Sequence, residues 1–142
     1  MMEIANAEHG SACLVCDPAA SNWEELKEAV DKGLPVTELE HLKQTYNFTD
    51  QTLAELLGVS TRTILRRKSK NLTPDESTKI ILLAKVLNKA LDLMGSPENV
   101  LEWMHYKHPD LKQHSPIELC TNIVGYEQVI NLLNKMEWGI PG

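Results

Sequence analysis

The sequence predicts an all-α protein, a helix-turn-helix part followed by a second helical domain. Three observations carry that expectation. No stretch alternates apolar and polar residues with a period of two, as a half-buried strand would. Apolar residues recur three and four positions apart in several stretches. Helix start signals, Thr-Pro or Ser-Pro with a glutamate soon after, and glycine stops punctuate those stretches.

In chain order, residues 1–22 have no periodicity and many small side chains, so they are expected to form a flexible leader. Trp23, Leu26 and Val30 lie on one face of a first helix, which Gly33 and Pro35 stop. Thr37 with Glu40 reads as a capping box for a second helix carrying Leu39, Leu42 and Tyr46. Thr73-Pro74-Asp75-Glu76 starts a long helix whose stripe is Ile80, Ala84, Leu87, Leu91 and Met94, ended by Gly95. Ser96-Pro97-Glu98-Asn99 starts another, with Val100, Leu101 and Met104 inward and Pro109 beyond its end. Ser115-Pro116-Ile117-Glu118 starts a short helix that Gly125 is expected to break. Tyr126, Val129, Ile130, Leu133 and Met136 form a last stripe, closed by Gly139 and Pro141. The seam between parts is expected near residues 71–73 or 95–97. The working division is a leader at 1–22, a helical region at 23–72 with the helix-turn-helix near 50–69, and a domain at 73–142.

Between the second helix and the long one lies the most informative stretch, Leu53 to Lys70. A helix-turn-helix needs a small residue where its helices touch, and Ala54 supplies it. It needs a residue free to turn, and Gly58 follows four positions on. It needs apolar residues on both sides of the turn, and Leu53, Leu57, Val59 and Ile64 serve. Ser60 caps the second helix. Thr61, Arg62, Thr63, Arg66 and Arg67 then sit near its front, where a recognition helix meets bases and phosphates, with Lys68 and Lys70 just behind. Arg67 occupies a position that is often apolar, so packing through Leu65 is expected instead. The bland alternative is a helical hairpin with a solvated basic face. One short recognition helix binds DNA weakly, so a homodimer on a two-fold operator is expected.

Charge sharpens this reading. The 142-residue chain has a formal net charge of −6. Thr61 to Lys70 nevertheless holds five bases and no acid, whereas the first thirty residues hold six acids and one base. Residues 97–142 hold six acids against three bases. A basic island in an acidic chain says more about a partner than the net charge does.

Other chemistry is poorly supported. No apolar run is long enough to span a membrane, and the N-terminus lacks the pattern of a secretory signal, so a cytoplasmic protein with free thiols is expected. Cys13 and Cys16, with His9 upstream, lack a second ligand pair at zinc-finger spacing. His105 and His108 lack an obvious third ligand and read as surface residues. No phosphate loop, nucleophile elbow or paired-carboxylate arrangement is present. A non-enzyme with no cofactor and no metal is expected.

The C-terminal half resembles the toxin-binding domain of the Xre/MbcA/ParS antitoxins. The resemblance rests on Trp103, Pro109, Leu111, Ser115 to Leu119, Gly125, Val129, Leu133, Glu137 and Gly139. Gly33-Leu34-Pro35 and Val59 to Arg67 fit the same family, so the likeness runs from about Trp23 to Gly142. His114, often glycine in the family, and Cys120, often small or acidic, depart from it. The resemblance implies the antidote half of a type II toxin–antitoxin pair, commonly with a RES-domain toxin that consumes or uses NAD. It implies that the C-terminal domain covers the toxin's active-site entrance and that the helix-turn-helix represses the shared operon. Trp103, His105, His108, Glu137, Trp138, Ile140, Pro141 and Gly142 are the expected toxin contacts. Trp103 has a competing reading as a core residue. Trp138 and Ile140 follow the last stripe with little core left to join, which favours burial against another chain. The rival function is a transcription regulator whose C-terminal domain senses a small ligand, and a third is a helical adaptor that never meets DNA.

Overall fold

The computed structural model describes residues 22–66 and 71–139. Cys13, Cys16, His9, Arg67, Lys68, Lys70, Ile140, Pro141 and Gly142 lie outside them. Eight α-helices stand in order among the described residues: α1 (Trp23–Lys32), α2 (Val36–Tyr46), α3 (Asp50–Leu57), α4 (Thr61–Arg66), α5 (Pro74–Met94), α6 (Pro97–His105), α7 (Pro116–Leu119) and α8 (Ile123–Glu137). A 3-10 turn, Pro109–Leu111, joins α6 to α7. The described residues hold no strand, as the missing period-two pattern predicts.

Helix α5 is the organiser. Its 21 residues span roughly 31 Å at the α-helical rise. The expected capping box is present: Thr73 accepts from the Glu76 backbone, and Glu76 reaches back to the Thr73 backbone. The stripe is wider than one face, because Ile81, Leu83, Val86 and Ala90 are buried beside Ile80, Ala84 and Leu87. A helix buried on several sides has elements packed around it. On one side lie α1 and α3; on another lie α6 and α8. One apolar core therefore runs from Leu39 and Leu53 through Leu87 to Val100, Val129 and Leu133.

Two glycines fit the packing in ways that their helix-stopping role does not reveal. Gly33 caps α1 at φ +86°, where its backbone meets the strap leading into α5. A Cβ there would fall 2.2 Å from the Leu72 carbonyl oxygen. The next residue, Leu34, is buried; its N–H donates to Ser77 Oγ at 2.8 Å and its carbonyl accepts from Leu72 N–H at 2.8 Å. Gly125, expected to break the short helix, instead lies in the first turn of α8, capped by Asn122. α7 has already ended at Leu119, with Cys120 as its cap. The glycine is there because α8 begins against the Leu119 backbone.

The Thr37–Glu40 capping box is also corrected. α2 begins at Val36 with Pro35 as its cap and no side-chain hydrogen bond. Tethering of Leu34 and burial of Val36 fix where the chain turns, so Thr37 falls inside the first turn. Tertiary anchoring outweighs a local cap worth about 1 kcal/mol.

Candidate functional sites

The helix-turn-helix is built by α3 and α4. Thr49 caps α3 by accepting from Thr52 N–H at 3.1 Å. Ala54 is buried, and its carbonyl accepts from Val59 N–H at 3.0 Å as the chain leaves the helix. Gly58 turns at φ +74°. Ser60 Oγ accepts from Thr63 N–H at 3.1 Å, the cap the sequence predicts, and lies 3.0 Å from Thr63 Oγ1. Ile64 is 6% exposed and locks α4 to the core, whereas Leu65 is 47% exposed. The expectation that α4 packs through Leu65 is therefore wrong. Ile64 already fills the inward position, and the next residue along a helix points about 100° away.

That placement leaves Thr61, Arg62 and Arg66 exposed together, with Ser60 at the helix front and Thr63 half-buried. A further cation stands behind the turn. Lys79 of α5 donates to the Leu57 carbonyl oxygen at 3.2 Å and pairs with Asp75 at 3.4 Å. Its charge satisfies a terminal carbonyl of α3 at the negative end of the helix dipole. Lys79→Met is expected to cost about 1–2 kcal/mol, read by urea unfolding. It should also blur the position of α4.

The second set of residues surrounds α6 and α8. Trp103 is half-buried against the core. The His108 ring lies tilted against it, with centroids 5.0 Å apart, and meets Tyr106 edge-on at 4.8 Å. His108 Nε2 also lies 3.2 Å from the Trp103 carbonyl oxygen. The loop that follows closes on itself. His108 N–H donates to the His114 carbonyl at 3.1 Å, and Gln113 N–H to the His108 carbonyl at 2.8 Å. Leu111 is buried as its anchor. The left-handed positions in this loop are Lys112 and Gln113, at φ +55° and +67°. His108 is thus held in place by its own loop, while His105 and Tyr106 face solvent. Tyr106 escaped the sequence reading because a lone tyrosine before a loop carries no periodic signal.

His105 also lines an open cleft of about 550 Å³ between α2 and α6, with Tyr46, Glu98, Leu101 and Glu102 on its walls. Glu118 is held below its usual carboxyl range, first by the His114 ring at 3.3 Å and then by the Ser115 hydroxyl at 3.0 Å. Cys120 is pushed up to about 12 by burial, so its thiol stays protonated and unreactive. Among the described residues, no group of three His, Cys, Asp or Glu could hold a metal ion. None of the described helices is long and apolar enough to cross a membrane.

At the chain's other end, Glu137 pairs with Lys89 of α5 at 2.7 Å. Trp138 is 76% exposed, and Gly139 turns away at φ +70°. Met136, assigned to the inward stripe, is 40% exposed, and Leu132 is buried instead. The last turn of α8 passes the rim of the core, where the Lys89–Glu137 pair meets water. Met136 and Trp138, both exposed, thus flank Glu137 of that ion pair in sequence.

Residues 25–85 match the Antitoxin Xre-like helix-turn-helix domain, and residues 89–139 match the Antitoxin Xre/MbcA/ParS C-terminal toxin-binding domain. The chain carries both domains of an Xre-type antitoxin. Similar proteins include two called Antitoxin Xre. One, from Photorhabdus laumondii, is 27% identical over 85% of this chain and 84% of its own length. The other, from Yersinia enterocolitica, is 24% identical over the same shares. The protein is an antitoxin of a toxin–antitoxin system, with a helix-turn-helix domain and a toxin-binding domain. The two matched regions meet inside α5, between residues 85 and 89. One continuous helix therefore belongs to both matched domains of this antitoxin.

Proposed function

We propose that this antitoxin neutralises a RES-domain toxin, one that consumes NAD or transfers ADP-ribose, and represses its own operon as a homodimer in the cytoplasm. It works by stoichiometric binding, without chemistry of its own. The observation that carries the reading is the pairing of two exposed surfaces on one rigid core. Arg62 and Arg66 project from α4 at one, and Met136 in the last turn of α8 and Trp138 just past it are exposed at the other. Ser60, Thr61, Arg62, Thr63, Arg66, Arg67, Lys68 and Lys70 form the DNA surface of this proposal. Trp103 and His108 support the toxin surface from beneath, and His105, Glu137, Trp138, Ile140, Pro141 and Gly142 meet the toxin.

The DNA half is tested by changing Arg62 and Arg66 to alanine together. Each base-contacting arginine is worth about 1–3 kcal/mol, so the double variant should bind its operator at least about thirtyfold more weakly. Its circular dichroism spectrum should not change, because neither side chain is packed. Wild-type affinity should fall steeply with salt. An unchanged gel-shift affinity at moderate salt would remove α4 from the DNA interface. The toxin half is tested by co-expression with the adjacent gene product and mass measurement of the purified complex. A neighbour without a RES domain that still co-purifies would correct the toxin class.

A further inference from the structure

Of the seven large apolar side chains exposed among the described residues, five fall inside residues 89–139, the part that matches a toxin-binding domain. Three of those five, Ile123, Val124 and Trp138, share one side of α8. Trp138 follows Ile123 by fifteen positions and Val124 by fourteen. At about 100° per residue its direction falls between theirs. Its N–H donates to the Asn134 carbonyl at 3.1 Å, so it keeps the helical register. Ile123 is 53% exposed and Val124 66%. The opposite face, with Val129 and Leu133, is the one buried in the core.

The first turn of α8 is also held in place. Asn122 accepts from Gly125 N–H at 2.9 Å, and Gly125 is buried against the Leu119 backbone. Two branched side chains on a fixed turn lose little freedom when they dock. The rest of that side indicates the partner. Val124 and Trp138 stand roughly 21 Å apart at the α-helical rise. Between them Glu127, Gln128, Asn131 and Lys135 are exposed. One acid and one base cancel, and the other two are neutral amides. A nucleic acid needs several cations in line, and a membrane surface needs a continuous apolar face. This side of α8 has neither. A neutral polar strip with an apolar anchor at each end has the make-up of a protein interface, where a few anchors carry most of the binding. In a domain matched as toxin-binding, that protein is the toxin.

We propose that the outer side of α8, from Ile123 and Val124 to Trp138, docks on the toxin, with the two branched side chains as an anchor at the end far from the tail. This rests on the toxin reading above and adds to its surface a contact that the tail does not supply.

The test is the affinity of the purified full chain for the product of the adjacent gene, by calorimetry, beside sedimentation and operator binding. Val124→Glu and Ile123→Asp should each weaken that affinity at least about tenfold. Neither should unfold the chain, because the helix dipole favours an acid in the first turn, and α8 has none there. Val124→Leu, which stays apolar, should bind as the wild type does. Operator binding and mass in solution should not change. Wild-type affinity in both acidic variants would overturn the role of α8 and leave the toxin reading standing. A fall in the solution mass of the acidic variants would give this side to a second copy and overturn the toxin as its occupant. A wild-type chain that does not bind the adjacent gene product would overturn both readings.

Discussion

Gly125→Ala is expected to lower stability by about 3 kcal/mol or more. The new Cβ would fall 1.9 Å from the Leu119 carbonyl oxygen and 2.7 Å from its carbon. Both are backbone atoms, so no rotamer can relieve the overlap, and α7 and α8 must separate. Helix propensity alone predicts the opposite sign, since alanine is favoured over glycine by about 1 kcal/mol inside a helix. The sign of the change therefore decides whether the close approach of α8 to Leu119 is real. A fall in melting temperature of roughly 6–12 °C, scaled for a chain of this size, is the expected calorimetric result. Moving α7 also moves the Ser-Pro-Ile-Glu-Leu segment, so toxin binding should weaken at temperatures where the variant remains folded. A rise in melting temperature would show that the two helices do not meet this way.

Removal of residues 138–142 is expected to act in the opposite manner, on binding and not on folding. Trp138 is 76% exposed and contributes little to the core, and the Lys89–Glu137 pair remains. The melting temperature should stay within about 3 °C of wild type, the scale of one lost helix cap. Neutralisation of the toxin should weaken by about 2–4 kcal/mol, the worth of burying one aromatic and one branched side chain after ordering costs. That is roughly thirtyfold to a thousandfold in affinity. Operator binding should be unchanged. Full inhibition by a stable truncated chain would remove the tail from the toxin interface. A large loss of stability would show that Trp138 supports the bundle.

The two changes sit at opposite ends of one helix, α8, and differ because of what each end touches. Its first turn presses on a neighbouring backbone, while its last turn passes the rim of the core. The same contrast explains the errors at Met136 and Gly125. A stripe counted in steps of three and four gives direction around a helix, not where the neighbouring helices stop. Met136 points the same way as Val129, yet one is 40% exposed and the other fully buried.

What the sequence determined by itself is local. Period, caps and turn residues specify the helices: Thr73, Ser96 and Ser115 start them as the Pro-containing motifs require, and Gly58 and Gly95 end them in left-handed geometry. The basic residues after Gly58 give α4 its positive charge before any fold is known, because charge and turn lie in one continuous stretch. The tertiary structure decided what depends on residues distant in sequence. It placed Lys79 on the Leu57 carbonyl, 22 positions away, and Ser77 under Leu34. It moved the start of α2 from Thr37 to Val36, because burial of Leu34 and Val36 outweighs a capping preference. It sent Ile64 inward and Leu65 outward, and it left Trp23 of α1 exposed while Leu26 and Val30 pack on the core. Hydrogen-bonded caps act within a few residues, whereas burial is settled only when every other element has taken its place.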